Sequence, residues 1–178
     1  WNYPFLNAAL RTSAALAVGN SVVLKMAEQA PLTAVRFAEL AHEAGIPAGV
    51  LNVVNGDGPV TGAALVAHPL VPKITFAGST EVGREILRVS SSLLKSCQLE
   101  LGGKSATIVF ADADLDAAAR KAAGQYDDAG QVCLAGTRLL VEESVRDAFL
   151  ERFHRFTDEH VLGDPRDDAT TISPVIHR

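Results

Sequence analysis

The apolar positions of the chain follow two alternating patterns. Short apolar or β-branched runs predict buried strands at 21–25, 50–54, 73–78, 97–101, 105–110 and 137–141. Between them, apolar residues spaced three or four apart predict six helices. Three lie at 5–18, 32–44 and 62–68, and a fourth carries Val82, Ile86, Val89 and Leu93. The fifth begins at about 112–114, and the sixth follows Ser144. Strands that alternate with helices predict an α/β fold with a doubly wound, mostly parallel sheet.

Local signals set the bounds of several elements. Gly19 and Asn20 predict the end of the first helix, and Ser144 is predicted as the N-cap of the last one. The buried face of the fifth helix is expected at Leu115, Ala118, Ala119, Ala122 and Ala123, and that of the last helix at Val145, Ala148, Phe149, Phe153 and Phe156. The pair Gly102-Gly103 suits a hinge. We therefore expect a domain over 1–102 and a second region over 103–178.

Composition narrows the classes of protein that the chain can represent. Its 178 residues are 48% hydrophobic and 21% charged, which is ordinary for a globular protein. A net charge of −5 offers no basic stripe for nucleic acid or for a membrane surface, and no apolar run is long enough to span a bilayer. Two cysteines and the absence of a visible signal peptide favour a reducing compartment, the cytoplasm by default. The five scattered histidines form no metal-binding motif, so no metal is expected.

Cys133 is the first candidate for chemistry. It lies in "GQVCLAG", where small neighbours leave room for a substrate beside the sulfur. A nucleophilic thiolate needs such a partly exposed, donor-rich setting, whereas most lone cysteines are small buried residues. Cys97, inside a strand, is typical of the second class. Both interpretations of Cys133 stay open on these grounds.

Glu100 and Asn2 carry similar alternatives. Glu100 ends a strand between two leucines, where partial burial would raise the pKa of its carboxyl group and suit a general base. On the other face of the strand it would simply meet solvent. The Asn2 amide could donate to an oxyanion, but its place before the first helix favours an N-cap by spacing alone.

Two glycine-containing turns could meet phosphate. In "FAGSTEVG" a strand ends at Gly78, and Ser79 with the following helix amides could donate to a pyrophosphate, although a glycine-capped turn explains the pattern equally well. The sequence "GGKS" at 102–105 resembles the end of a P-loop. However, residue 98 is glutamine where that motif requires glycine, so this is not a P-loop.

The order of these motifs is more specific than any one of them. "WNYP", "GNSVVLKMAEQAPLTA", "GIPAGVLNVVNGDG", "ITFAGSTEVG", "LELGGKSATIVFADADLD" and "GQVCLAGTR" follow one another from residue 1 to about 165. This series resembles the NAD(P)-dependent aldehyde dehydrogenase superfamily. The resemblance implies a Rossmann-like NAD-binding domain over 1–102 that runs into the start of an α/β catalytic domain over 103–178.

The resemblance also implies residue roles. Cys133 matches the nucleophile that forms a thiohemiacetal and then a thioester, Asn2 matches the oxyanion donor, and Glu100 matches the base that activates water. The positions that match cofactor-binding residues are Trp1, Lys25, Glu28, Gly78, Ser79, Thr80, Glu81, Val82, Gly83, Leu101 and Gly102. Because a carboxylate at Glu28 would repel a 2′-phosphate, NAD is expected rather than NADP. A glutamate at position 100 favours hydrolysis to a carboxylic acid over transfer of the acyl group to coenzyme A.

Further expectations concern the substrate and the assembly. The substrate would be a small aldehyde, with a loose similarity to the branches that oxidise semialdehydes. Family members are longer on both sides, so these residues are expected to be a central piece of a homodimeric or homotetrameric enzyme. Asp127 and Asp128 depart from the usual pattern and bring negative charge near the thiol. Two other readings are a catalytically silent nucleotide-binding or structural relative, and a thiol hydrolase that needs no NAD.

Overall fold

A computed structural model describes residues 1–177. The chain divides into two compact units, Trp1–Leu101 and Gly102–Arg178. The assignment of an NAD-binding role to the first and a catalytic role to the second stays a prediction. None of the helices in the described part of the chain is long and apolar enough to cross a membrane.

The first unit alternates helices and strands, as the sequence predicted. Its elements are α1 (Pro4–Ala17), β1 (Val22–Lys25), α2 (Leu32–Glu43), β2 (Leu51–Val54), α3 (Ala63–Ala67), β3 (Lys73–Ala77), α4 (Thr80–Ser91) and β4 (Ser96–Glu100). A single π-helical turn, Gly58–Gly62, leads into α3. Gly19 has a φ of 83° just beyond α1, which confirms the predicted stop signal.

The strands of both units pair in parallel, as expected for an α/β fold. β1 pairs with β2 from Val22↔Leu51 to Lys25↔Val54, and β3 pairs with β4 from Lys73↔Ser96 to Ala77↔Glu100. Within residues 1–177 the strands form three parallel pairs, β1 with β2, β3 with β4, and the pair Ala106–Val109 with Arg138–Val141. Because each pair is parallel, the carboxyl ends of its two strands lie at the same edge.

The apolar face of α4 differs from the prediction. Val82 and Leu93 are exposed, and the helix ends at Ser91; the buried residues are Gly83, Ile86 and Ser90. The reason is the packing of Gly83, where a Cβ atom would lie 2.6 Å from Cδ2 of Leu101. This close approach turns the face that carries Gly83 inward and leaves Val82 in solvent.

The second unit is built around two packed helices. Its elements are β5 (Ala106–Val109), α5 (Leu115–Ala123), a 3-10 helix (Gly124–Gly130), β6 (Arg138–Val141), a short 3-10 turn (Glu143–Val145) and α6 (Arg146–Thr157). β5 pairs in parallel with β6. The core consists of Val109, Ala119, Ala122, Ala123, Phe149 and Phe156, which confirms the predicted inner faces of α5 and α6.

α5 begins where the sequence predicted a helix, whereas the N-cap predicted for α6 is wrong. The Asp114 carboxylate accepts the backbone N–H groups of Asp116 and Ala117, each at 3.1 Å. Ser144 does not cap α6; its hydroxyl donates to the Glu142 carboxylate at 3.0 Å. The 3-10 turn delays the start of the helix to Arg146, so Val145 occupies the N-cap position instead.

Candidate active site

Cys133 lies on a tight turn between the 3-10 helix Gly124–Gly130 and β6. The turn is closed by a hydrogen bond from Ala135 N–H to the Val132 carbonyl oxygen, at 3.1 Å. The cysteine is exposed, whereas Cys97 in β4 is half-buried. Within the unit described here, Cys133 is therefore not the small buried residue that one interpretation allowed.

The backbone that leads to this cysteine is unusual. Asp128 and Ala129 have φ angles of 52° and 56°, and Gly130 follows with 73°. Two consecutive non-glycine residues in the left-handed region are uncommon and need support from their surroundings. Gln131 gives that support, because its backbone N–H and its side-chain amide both donate to the Asp128 carbonyl oxygen, at 3.2 and 2.8 Å.

Gly103 approaches the backbone of the cysteine closely. A Cβ atom at this position would lie 2.5 Å from the carbonyl oxygen of Cys133, so any other residue would push the turn away. The sequence pattern suits a hinge at Gly102-Gly103, and it does not indicate this packing role of Gly103. The requirement for glycine comes from a residue thirty positions further along the chain, which local pattern cannot reveal.

Glu100 lies at the carboxyl end of β4, beside the end of β3. Its carbonyl oxygen accepts the Gly78 N–H at 3.1 Å, so the backbones of the two strand ends are joined. Exposure alternates along β4, and Glu100 falls on the exposed face together with Gln98. Of the two alternatives left open for this carboxylate, the unit described here therefore shows the solvent-facing one.

Asn2 precedes α1 without capping it. The N-cap position belongs to Tyr3, which has a left-handed backbone (φ 48°) and makes no side-chain cap. Asn2 is half-buried, and its carbonyl oxygen accepts the Asn7 side-chain amide at 3.1 Å. The N-cap interpretation that spacing favoured is therefore wrong, because the helix starts one residue later than it required.

A polar cluster joins the carboxyl ends of β1 and β2. Lys25 is the last residue of β1, and its ammonium group lies 3.2 Å from Oε1 of Glu28. The same oxygen accepts the backbone N–H of Gly58 at 2.5 Å, from the turn that follows β2. The family resemblance implied Lys25 and Glu28 but not Gly58, whose one visible signal was its place in "NGDGP" at a strand end.

These contacts stabilise the charged form of Glu28. Its own backbone N–H and that of Gly58 donate to the carboxylate, and with Lys25 they hold the pKa of the Glu28 carboxyl below its usual range. The carboxylate is thus ionised at neutral pH and fixed at the strand edge. A fixed, partly exposed carboxylate beside an ammonium group can accept hydrogen bonds from a ligand's hydroxyl groups.

The turn between β3 and α4 is open to solvent. The Ser79 hydroxyl oxygen accepts the Val82 N–H at 3.2 Å and caps α4, while Ser79, Thr80, Glu81 and Val82 are all exposed. At Gly78 and Gly83, a side chain would collide with a neighbouring residue. A Cβ atom at Gly78 would lie 2.4 Å from Cζ of Phe76, and Gly83 is buried against Leu101. Backbone donors at this helix start remain accessible to an anion.

The remaining predicted positions are placed as follows. Trp1 and Gly102 are exposed, and Leu101 is half-buried. Across residues 1–177, no three His, Cys, Asp or Glu side chains converge in a way that could hold a metal ion.

The chain is similar to known proteins of one family. The aldehyde dehydrogenase family profile matches residues 1–178. A hydroxyisobutyraldehyde dehydrogenase of Mycolicibacterium austroafricanum is 51% identical over 98% of this chain and 35% of its own. An NAD-dependent aldehyde dehydrogenase of Sinorhizobium meliloti superposes with a TM-score of 0.96 at 47% identity, over 99% of this chain and 36% of its own. An NADP-dependent enzyme of E. coli also reaches 0.96, at 42% identity, over 99% and 37%. The chain thus spans little more than a third of the length of these proteins.

Proposed function

The chain belongs to the aldehyde dehydrogenase family, and on that premise we propose that the full-length protein oxidises an aldehyde to a carboxylic acid, with NAD as the oxidant and Cys133 as the nucleophile. The observation that carries this proposal is the setting of Cys133, an exposed cysteine on a turn that hydrogen bonds and close glycine packing hold in place. A fixed and accessible thiol is what attack on a carbonyl carbon requires.

The chemistry proceeds through a covalent intermediate on the cysteine. The Cys133 thiolate forms a C–S bond to the aldehyde carbon, and the carbonyl oxygen becomes an oxyanion. The Cys133 N–H and the Asn2 amide would stabilise that charge, in line with the family resemblance. NAD, when bound, supplies the acceptor for the hydride that leaves this carbon, and Cys133 then carries a thioester.

Release of the acid requires water. Glu100 would accept a proton from a water molecule, whose oxygen attacks the thioester carbon while the C–S bond breaks and returns the thiolate. The net change converts aldehyde, NAD⁺ and water to carboxylate, NADH and two protons. The exposed position of Glu100 at the end of β4 is compatible with contact to water, and hydrolysis rather than transfer to coenzyme A is our proposal.

The first unit offers groups that suit a dinucleotide. The ionised carboxylate of Glu28 can accept hydrogen bonds from both ribose hydroxyl groups, and Lys25 lies beside it. The same charge would repel a 2′-phosphate, which supports NAD over NADP. Ser79 and the exposed start of α4 can donate to the pyrophosphate. Because Gly83 is buried, we propose that it supports this turn by packing; Trp1, Thr80, Glu81, Val82, Leu101 and Gly102 complete the proposed set.

Replacement of the nucleophile tests the proposal. We expect Cys133→Ser to abolish NADH formation from an aldehyde panel of propanal, phenylacetaldehyde and 2-hydroxyisobutyraldehyde, while NAD still binds. The matched control is Cys97→Ser, which removes the other thiol and should leave turnover unchanged. Full NADH formation by Cys133→Ser would refute the proposal. Ester cleavage by the wild type without NADH formation would favour a thiol hydrolase, and the absence of both would favour a silent relative.

Two finer points complete the proposal. We place the protein in the cytoplasm, because both thiols are free and such thiols suit a reducing compartment. The family resemblance supports a homodimer or homotetramer, which sedimentation of the full-length protein distinguishes from a monomer.

A further inference from the structure

Both backbone groups of Gly136 are held by side chains from neighbouring elements. The Gly136 N–H donates to Oε1 of Gln125 at 2.6 Å, and its carbonyl oxygen accepts the Thr107 hydroxyl at 3.1 Å. Gln125 lies in the 3-10 helix after α5, and Thr107 lies in β5. Gly136 therefore connects the segment that carries Cys133, three residues earlier, to two elements of the unit's core.

Both the oxygen and the nitrogen of the Gln125 side-chain amide form hydrogen bonds. While Oε1 accepts from Gly136, Nε2 donates to the carbonyl oxygen of Lys121 at 3.1 Å. The second bond fixes the orientation of the amide against the last turn of α5. The bond between Gln125 and Gly136 is partly buried, so water competes less for it than it would on the surface.

Steric packing strengthens the contact with Thr107. Gly136 is buried, and a Cβ atom there would lie 2.3 Å from the Thr107 hydroxyl oxygen. At the other side of the turn, Gly103 leaves no room beyond the carbonyl oxygen of Cys133. The segment 130–136, here named the Cys133 loop, is thus confined at its cysteine and anchored at its end.

We propose that Gln125 and Thr107 are positioning residues that hold the Cys133 loop in the geometry needed for attack on the aldehyde. The inference rests on the proposed function of Cys133. Neither side chain touches the reacting atoms; each acts through Gly136. If the anchor is lost, the direction of the Cys133 N–H and of its sulfur becomes less defined, and a misplacement of about 1 Å costs up to about a hundredfold in rate.

The experiment compares variants of the full-length protein in NADH formation. Gln125→Leu keeps the size of the side chain and removes the acceptor. We expect kcat to fall between about tenfold and about a hundredfold, with KM for NAD and aldehyde within about twofold. Gln125→Glu retains the acceptor oxygen and should recover most of that loss. Thr107→Val, which removes the hydroxyl and keeps the branched shape, should lower kcat in the same direction.

A matched control separates positioning from stability. Asp114→Ala removes the N-cap at the opposite end of α5 and should lower the midpoint of urea unfolding, yet kcat should not change. Retained kcat in Gln125→Leu, or an equal loss in Asp114→Ala, would overturn the inference.

Hydrogen exchange gives a readout that does not depend on turnover. In Gln125→Leu the Gly136 N–H should exchange about fivefold faster than in the wild type while the core amides of α5 and α6 change less; in Asp114→Ala it should change only in step with those core amides. If Cys133→Ser retains NADH formation, the proposed function fails whatever exchange reports. If Cys133→Ser is inactive but neither exchange nor kcat responds to Gln125→Leu, the positioning role alone fails.

Discussion

At the scale of single residues, the ends of β1 and β2 meet at one carboxylate. Glu28 accepts the Gly58 N–H at 2.5 Å and lies 3.2 Å from the Lys25 ammonium group. Because these groups favour the charged form, the pKa of Glu28 lies below its usual range. Protonation therefore occurs only at a pH lower than that of an ordinary glutamic acid, and the carboxylate is ionised throughout the neutral range.

This charge leads to a prediction about cofactor choice. Glu28→Gln should weaken NAD binding about tenfold, because a neutral amide is a poorer acceptor for ribose hydroxyls, and should bring the Kd values for NADP and NAD closer together. In the wild type, the Kd for NAD should be constant from about pH 6 to pH 8, since Glu28 does not titrate there. Fluorescence titration with each cofactor measures both effects.

A surface glutamate on α2 provides the control for this prediction. Glu39 forms an exposed pair with Arg36, so Glu39→Gln removes one negative charge from the same unit without altering the strand edge. It should leave both Kd values unchanged. An unchanged ratio of NADP to NAD affinity in Glu28→Gln would show that Glu28 does not select the cofactor.

At the scale of elements, the packing of α5 against α6 supports the segment that leads to Cys133. Phe149 is fully buried between the helices and stacks on Phe153, with ring centroids 6.1 Å apart. On the surface, Asp116 of α5 bonds to both Arg152 and Arg155 of α6. The same helix pair therefore has an apolar inside and an ionic outside.

The ionic contact predicts a pH dependence of stability. Hydrogen bonds from Arg155 and then Arg152 lower the pKa of Asp116. A lowered folded-state pKa means that this contribution is present above the ordinary aspartate value and is lost as the pH falls through the folded value. Asp116→Asn should lower the free energy of unfolding slightly at pH 7 and by less at about pH 3, below the ordinary aspartate value; the effect is small because the pair is exposed and such pairs are weak.

Urea titrations at the two pH values measure this difference. Asp164→Asn is the matched control, because Asp164 bonds to Arg166 in the tail and does not join α5 to α6. An equal loss of stability at both pH values in Asp116→Asn would mean that the side chain acts through something other than its charge.

At the scale of the whole molecule, the pattern of apolar and polar residues predicted the helices and strands but not the contacts between them. The inner faces of α5 and α6 were predictable, because Ala119, Ala122 and Phe149 recur at the helical period. The prediction of Ser144 as an N-cap was wrong because a 3-10 turn intervenes. The prediction of Val82 as a core residue was wrong because Gly83 packs against Leu101 instead. Glycine spacing could not indicate that contact.

The candidate site shows the same division. Cys133, Glu28 and Ser79 could be named as candidates from sequence, because their motifs are local and the order of the motifs is specific. Gly58, Gly103 and Gln125 could not, since each acts on a residue between eleven and thirty positions away. Such contacts depend on how parallel strand ends and loops come together, which no short window of sequence records.

The most direct test of the central claim is the mass of the peptide that contains Cys133 after reaction with NAD and phenylacetaldehyde, propanal or 2-hydroxyisobutyraldehyde. In a Glu100→Gln variant, hydrolysis should be slow, so about one equivalent of NADH should form in a burst and the Cys133 peptide should gain the mass of the acyl group. That adduct would establish both the nucleophile and the role of Glu100. NADH formation by this variant without an adduct on Cys133, or with the adduct on Cys97, would contradict the account.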